Sequence, residues 1–169
     1  MTQSIYNSES GATFSPCRAY RYTLWRRWGS ERPILVVGLN PSTADETVND
    51  ATIRLCIVRA KDHGAGGLLM GNLFGYRATY PKDMKAQRDP VGPENDAALR
   101  QMAAAASIVV GAWGVDGDYK ARAWSVKRLL KDYTLHAIKV TKHGHPCHPL
   151  RLPYALKFRP LDELVAGNR

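Results

Sequence analysis

The sequence has few cysteines and no long apolar run. Its three cysteines, Cys17, Cys56 and Cys147, are odd in number and show no CxxC spacing, which argues against a disulfide framework or a zinc site. No segment approaches the roughly 18 to 20 apolar residues that a membrane span requires, and the opening MTQSIYNSES has no signal-peptide pattern. We therefore expect a cytoplasmic protein without a membrane segment, a metal or a cofactor.

The common catalytic fingerprints are also missing. The chain contains no GxxxxGK[ST] loop, no GxGxxG turn, no HExxH pair and no GxSxG elbow. These motifs carry phosphate binding, dinucleotide binding, zinc proteolysis and serine hydrolysis in their usual forms. Their absence disfavours the common NTPases, dinucleotide enzymes, zinc proteases and α/β hydrolases.

Acidic residues are scarce relative to basic ones. The chain has 24 Lys and Arg against 15 Asp and Glu, and residues 119–169 alone carry eleven basic and three acidic side chains. A basic face attracts polyanions, so we expect nucleic acid or a nucleotide as the partner. The alternative is that the charge serves only solubility. The oligomeric state is left open by the sequence.

Short apolar segments alternate with amphipathic ones. The run Ile34–Gly38 ends at Asn40-Pro41 and indicates a buried strand followed by a tight turn. Further apolar segments lie at 67–74, 107–114 and 135–140. The segments between them predict helices at 50–63 with an Asp50 cap, after Pro93, and at 119–131 with an Asp118 cap, and a short helix is expected near 161–165.

This alternation predicts one α/β domain over residues 1–169. We expect three layers, α/β/α, around a central four-stranded, mainly parallel sheet with right-handed crossovers. Residues 18–28, RAYRYTLWRRW, predict an added edge strand or hairpin arm, and residues 1–16 are expected to be loose. Residues 80–92 predict a long loop.

Each predicted strand ends in a polar turn, which we call a corner. These corners should lie at one edge of the sheet, where ligands of parallel α/β sheets bind. The corners are residues 38–41, 72–74, 113–114 and 145–149. They supply an Asn on a rigid turn, aromatic side chains and His residues between prolines. Cleavage of a base–sugar bond needs such groups, since donors near the leaving base stabilise its developing negative charge.

Several segments together resemble one family. GLNPSTAD, DATIRLC, NLFGYRAT, DPVGPEND, GAWG and GHPCHPL are similar to a bacterial and phage family of uncharacterised proteins, over about residues 20–156. This resemblance gives a family but no established biochemical role.

A weaker similarity is to the uracil-DNA glycosylase superfamily, which has a G-x-[ND]-P motif on its first strand and an H-P-x-P-L motif on its last. Gly38-Leu39-Asn40-Pro41 matches the first motif. The resemblance implies that Asn40 places water, that a His bonds the departing base, and that Asn72 and Phe74 define the base slot.

The last motif departs from the superfamily pattern. HPCHPL has one residue more than H-P-x-P-L, so either His145 or His148 can take the His role, and we favour His148. Arg151 follows where the glycosylases would have a small polar residue that pinches DNA. This difference puts a DNA-penetrating mode in doubt.

The candidate catalytic residues are Asn40, His148 and Asp45. The candidate substrate-binding residues are Gly38, Leu39, Pro41, Asn72, Phe74, Tyr76, Arg77, Trp113, Lys142, His145 and Arg151. Structural alternatives exist for several. Asn40 can cap its own corner, and Asp45 and Asp50 can serve as turn and helix-cap residues. Trp113 and Trp124 are predicted to lie in the core rather than to act as stacking platforms.

Three functions follow as hypotheses. The first is a nucleobase-recognising protein of glycosylase-like fold, with N-glycosylase activity on modified or mismatched bases in DNA or on nucleotides. The second is a non-catalytic nucleic-acid or nucleotide binding module that uses Arg122, Lys127 and Arg128. The third is a metal-dependent hydrolase that uses Asp45 or Asp50.

Overall fold

The computed structural model describes Tyr6 and residues 8–168. Its strands are β1 (Ser10–Phe14), β2 (Arg21–Arg27), β3 (Ile34–Gly38), β4 (Gly67–Asn72), β5 (Val109–Gly111), β6 (Leu135–Ala137) and β7 (Arg159–Pro160). Its α-helices are α1 (Ala51–Asp62), α2 (Pro81–Lys85), α3 (Asn95–Ala105), α4 (Arg122–Leu129) and α5 (Leu161–Ala166), and a 3-10 helix spans Val115–Ala121. None of the helices in the described part of the chain is long and apolar enough to cross a membrane.

The seven strands form one mixed sheet in the order β1-β2-β4-β3-β5-β6-β7. The neighbours β4-β3, β3-β5 and β5-β6 pair in parallel, whereas β1-β2, β2-β4 and β6-β7 pair antiparallel. The α/β class is therefore confirmed, but the sheet has seven strands where the sequence predicted four plus an edge element. The additional strands are the short, polar β1 and the two-residue β7, which leave almost no periodic signal.

Strand β3 lies between β4 and β5, and its side chains alternate between two hydrophobic clusters. Ile34 and Val36 face the cluster that contains Ile53 of α1. Leu35 and Val37 face the larger cluster, which contains the apolar residues of α3 and α4. Because helices cover both faces of β3, all five of its residues are buried, as a continuous apolar run predicts.

Helix α1 begins and ends where the sequence predicted. The side chain of Asp50 accepts a hydrogen bond from Ile53 N at 2.9 Å, and a cap of this kind contributes about 1 kcal/mol. The chain leaves the helix through Gly64, whose φ of +84° lies in the left-handed region. This helix connects β3 to the parallel strand β4, so its first turn lies near the carboxyl end of β3.

The N-terminal part of the chain differs from the expectation of a loose segment. Ser10–Phe14 form β1, which pairs with β2 in an antiparallel hairpin, and residues 1–5 and 7 lie outside the described residues. The hairpin arm at residues 18–28 is present as β2, but β1 and not β2 is the edge strand. The sequence does not indicate that β1 is a strand, because Gly11 has no side chain to contribute to an alternating pattern. A Cβ at that position would lie 2.1 Å from the ring of Trp25.

The predicted helix at 119–131 starts later and in a different register. Lys120 and Ala121 both have φ of +52°, so the helical path is interrupted in the last residues of the 3-10 span, directly before α4. Asp118 therefore does not cap α4, which begins at Arg122. The buried face of α4 contains Ala123 and Val126. Trp124 is 60% exposed, so its assignment to the core was wrong, whereas Trp113 is buried at 3% as predicted.

Candidate functional site at the ends of the parallel strands

Backbone hydrogen bonds join the strand-end corners in pairs. Leu73 N donates to Gly38 O and Phe74 N donates to Leu39 O, both at 2.9 Å, which links the corners of β3 and β4. Gly114 N donates to Pro146 O at 2.8 Å, which links the corner of β5 to residues 145–149. The predicted corners therefore do lie beside one another in these two pairs.

Asn40 acts as a brace at the corner of β3. Its Nδ2 donates to Ala78 O at 2.7 Å and to Pro41 O at 3.1 Å. Ala78 N in turn donates to Pro41 O at 2.9 Å. The amide therefore ties the loop after β3 to the loop after β4. Within the described residues no hydrogen bond reaches Oδ1 of Asn40, so this oxygen is left as an acceptor.

A groove opens beside this brace. We call it the strand-end groove. It has a volume of about 380 Å³ and is lined by Arg18, Ala19, Ser42, Thr43, Tyr76, Arg77, Ala78 and Thr79. The lining comes from the β1–β2 turn and from the loops that follow β3 and β4. Three parts of the chain thus converge at the carboxyl edge of the sheet, the usual ligand position in parallel α/β sheets.

Arg77 is held in this groove by few protein contacts. Its Nη1 donates to Arg18 O at 3.3 Å, and its guanidinium lies 4.9 Å from the centroid of the Phe14 ring. Its Nε is buried and has no hydrogen-bond partner among the described residues. That Nε is shielded from the groove, but Nη2 also makes no hydrogen bond to a described residue, so Arg77 has a terminal donor left for an incoming acceptor.

Arg18 stacks on the same ring from closer range. Its guanidinium lies 3.8 Å from the centroid of Phe14. Both of its terminal nitrogens donate to the Glu46 carboxylate, at 2.7 and 3.1 Å. This bidentate hydrogen bonding lowers the pKa of Glu46 and raises the pKa of Arg18. Phe14 thus lies beneath both arginines and fixes their positions.

The residues expected to form a base slot lie in the interior instead. Phe74 is fully buried, with its ring centroid 5.9 Å from that of Tyr119. Trp113 and Asn72 are 3% and 2% exposed. A Cβ on Gly38 would lie 2.9 Å from Oδ1 of Asn72, which explains the glycine at that corner. The interior position of Phe74 removes it as a stacking surface.

The two acidic candidates beside Asn40 organise the loop between β3 and α1. Oδ1 of Asp45 accepts hydrogen bonds from Thr47 N at 3.0 Å and Val48 N at 2.7 Å. These two bonds lower the pKa of Asp45. Asp50 caps α1. The geometry of both residues is that of turn and cap residues.

The two candidate histidines have different environments. His148 is exposed overall, yet partial desolvation of its ring lowers its pKa. Its Nδ1 accepts from Leu150 N at 3.2 Å, so the neutral ring carries its proton on Nε2. His145 lies 3.3 Å from Asp118 in an ion pair that forms when the ring is protonated. No hydrogen bond or ion pair within the described residues joins Asn40 to either histidine.

The remaining candidates are peripheral or structural. Lys142 and Arg151 are exposed, and Arg151 has a left-handed φ of +67°. Tyr76 lines the strand-end groove and makes an edge contact with Tyr20, with 5.6 Å between ring centroids. The carbonyl oxygen of Pro41 accepts one hydrogen bond from Asn40 Nδ2 and one from Ala78 N.

Sequence reasoning missed two buried arginines that hold the loop between β3 and α1. Arg26 is buried and donates to Asp45 O at 2.7 Å and to Asn49 Oδ1 at 2.8 Å. Arg21 is also buried, and desolvation lowers its pKa to about 10. It donates to Ala44 O at 2.9 Å. An arginine within an otherwise apolar strand indicates a buried guanidinium group. Its hydrogen-bond partners can be identified only from the tertiary structure.

Arg122, which the binding-module hypothesis placed on an accessible basic face, is also buried. Its Nε donates to Leu73 O at 2.7 Å, and its Nη2 lies 2.5 Å from the Asp96 carboxylate. Only Lys127 and Arg128 of that trio are exposed. Among the described residues, no group of three or more His, Cys, Asp or Glu side chains is arranged to hold a metal ion.

Comparison with curated proteins and comparison with solved structures give no significant match. A family model covers most of the chain, from residue 21 to residue 150, which includes the corners of β3, β4 and β5 and most of the residues that line the strand-end groove. This match confirms the expectation of an uncharacterised family. The chain belongs to the family described as "Protein of unknown function (DUF1643)".

Proposed function

We propose that this protein recognises a nucleotide or nucleic acid by its phosphate, which binds in the strand-end groove. The observation that carries this proposal is the position of Arg77, which has a terminal donor left, in a groove at the carboxyl edge of the sheet, next to Arg18 and its ion pair with Glu46. Arginine presents several N–H donors in a fixed plane that matches phosphate geometry. The net charge of +9 favours the same class of ligand.

Hydroxyl groups in the same groove support an oxyanion ligand. Ser42, Thr43 and Thr79 all line the groove, and their side chains make no hydrogen bond to any described residue. Hydroxyls and guanidinium groups together are the usual donors to phosphate oxygens. The ring of Tyr76 lines the same groove and offers an aromatic surface to the attached base.

Replacing Arg77 by alanine tests this proposal. The variant is expected to bind nucleotides or short oligonucleotides roughly 10- to 100-fold more weakly, because a hydrogen bond to a charged group contributes about 1.5–3 kcal/mol. Fluorescence anisotropy with a panel of labelled nucleotides and oligonucleotides measures the change.

Arg100→Ala is the matched control, since Arg100 is an exposed arginine on α3 outside the groove. It should bind like the unmodified protein. Equal affinities of the Arg77 variant, the Arg100 variant and the unmodified protein across the whole panel would contradict phosphate binding in the groove.

A second candidate function is N-glycosylase chemistry on a uracil-DNA glycosylase-like fold. It is favoured by the position of Asn40 at the end of β3, with Oδ1 free to orient water, and by the Nε2 proton of His148, which suits a departing base. The non-catalytic binding module is the alternative, and the burial of Phe74 favours that alternative.

Base release distinguishes these two candidates. DNA with uracil, mismatched or hypermodified bases, and free nucleotides, are incubated with the protein, and released base is measured by chromatography. The glycosylase candidate predicts release that falls about 100-fold or more in His148→Ala, as for loss of one preorganised donor. Absence of release from every substrate, with nucleotide binding retained, would leave the binding module as the function.

A further inference from the structure

Helix α4 presents an aromatic and basic face to solvent. Trp124 is 60% exposed, and Lys127 and Arg128 on the same helix are exposed as well. Lys131 follows two residues after the helix and is also exposed. No ion pair to any of these three cations occurs within the described residues. We call these four residues the α4 platform.

The indole of Trp124 is positioned by its neighbour one helical turn away. The guanidinium of Arg128 lies 4.8 Å from the centroid of the Trp124 ring. This i,i+4 contact holds the ring at the surface. The helix therefore carries a fixed indole beside a positive charge, with most of the side chain open to solvent.

The basic face continues into a second groove. Lys127 and Lys131 line a groove of about 600 Å³ together with Tyr133 and His143. Asp132 and Asp162 also line this groove, so its acidic and basic groups are mixed, and the unbalanced positive charge is concentrated on α4 itself. A bound polyanion that contacts these basic residues would therefore extend from Trp124 along α4 to the rim of this groove.

We propose that the α4 platform binds single-stranded nucleic acid, with a base stacked on Trp124 and phosphates contacted by Lys127, Arg128 and Lys131. Unpaired bases stack on exposed aromatic rings, while basic side chains follow the backbone. A duplex keeps its bases paired and offers Trp124 no free face, so the exposed indole selects the single strand. The three basic side chains of the α4 platform, which form no ion pair within the described part of the chain, favour a polyanion as the ligand.

This proposal uses none of the residues of the strand-end groove. The two sites can therefore be tested separately on the full chain. Arg77→Ala should weaken binding of mononucleotides and leave the contribution of Trp124 intact. Trp124→Ala should weaken binding of single strands and leave binding of mononucleotides unchanged.

The experiment is anisotropy of a labelled oligothymidine, with a hairpin duplex as comparison, on the unmodified protein and on Trp124→Ala. Loss of one base–aromatic stack is expected to weaken single-strand binding at least about fivefold. A triple alanine variant at 127, 128 and 131 should lower the slope of log affinity against log salt by about 0.7 for each phosphate that the protein no longer neutralises.

Tyr154→Ala is the matched control. Tyr154 is 62% exposed and, like Trp124, lies near an arginine, with Arg59 at 5.5 Å from its ring centroid. It should bind the oligonucleotide like the unmodified protein. Because Trp124 and Tyr154 are both exposed, each variant should keep its circular dichroism spectrum and melting temperature.

Two outcomes would overturn the proposal. Equal single-strand affinity of Trp124→Ala and Tyr154→Ala would show that the indole takes no part in binding. Tighter binding of the hairpin duplex than of oligothymidine, unaffected by the loss of Trp124, would show that the basic residues serve duplex DNA instead.

Discussion

Replacing Phe74 by alanine is expected to destabilise the protein by about 3–5 kcal/mol, the cost of removing a fully buried aromatic ring. The ring is inaccessible to solvent and packs in the larger core cluster. Such a loss takes a large share of the roughly 5–15 kcal/mol by which domains of this kind are stable. Urea unfolding followed by circular dichroism measures the change in the free energy of unfolding.

This result separates two roles for the aromatic residue at the end of β4. A stacking platform for a base would be exposed, and its loss would reduce ligand affinity while stability stayed the same. Tyr80→Ala is the control, because Tyr80 is 61% exposed and its loss should change stability by no more than about 0.5 kcal/mol. A Phe74 variant as stable as the Tyr80 variant would contradict the interior position of Phe74.

The second large effect is expected at Arg26, where replacement by methionine should destabilise the protein by about 2–3 kcal/mol. Arg26 is 7% exposed, and its guanidinium donates to Asp45 O, Val48 O and Asn49 Oδ1. Methionine retains much of the apolar stem but leaves these acceptors without their donor, and each hydrogen bond to a charged group contributes about 1.5–3 kcal/mol before relaxation and water recover part of it. Thermal and urea unfolding measure the loss.

Arg27 provides the control for this substitution. It is the next residue of β2 and is exposed, since successive side chains of a strand point to opposite faces. Arg27→Met should change stability by no more than about 0.5 kcal/mol. Equal effects at the two positions would show that the 45–49 loop does not depend on Arg26.

The parts of the fold that sequence predicts well are those with strong local signals. The apolar run at Ile34–Gly38 and the Asp50 cap identify β3 and α1 because a buried strand and a capped helix each need specific neighbours in sequence. Strand β1 was not predicted because its first four residues are small, with Phe14 as its one large side chain, and because its packing depends on the contact of Gly11 with Trp25 of β2.

The error at Trp124 has a different origin. Helical periodicity counted from Tyr119 places the indole on the buried face, but two consecutive left-handed residues, Lys120 and Ala121, restart the helix in a new register. Non-glycine residues seldom adopt that conformation, so sequence patterns do not predict it.

In the candidate site, too, local sequence patterns identify some residues and miss those that meet only in the tertiary structure. Asn40 can be identified from sequence because a strand, an asparagine and a proline in succession form a local pattern. The position of Arg18 beside Arg77 depends on the β1–β2 hairpin, and the distance in sequence between them gives no sign of the contact. Groups that meet only through tertiary structure cannot be found by spacing alone.

The hydrogen bonds of Asn40 restrict which residue type can occupy this position. Both of the hydrogen bonds that Asn40 makes are donated by its amide nitrogen to carbonyl oxygens. An aspartate at this position would place an anionic oxygen against those two carbonyls and would repel them, so it could not hold the loops after β3 and β4 together. An amide at residue 40 therefore fits this arrangement of loops, and a carboxylate at the same residue does not.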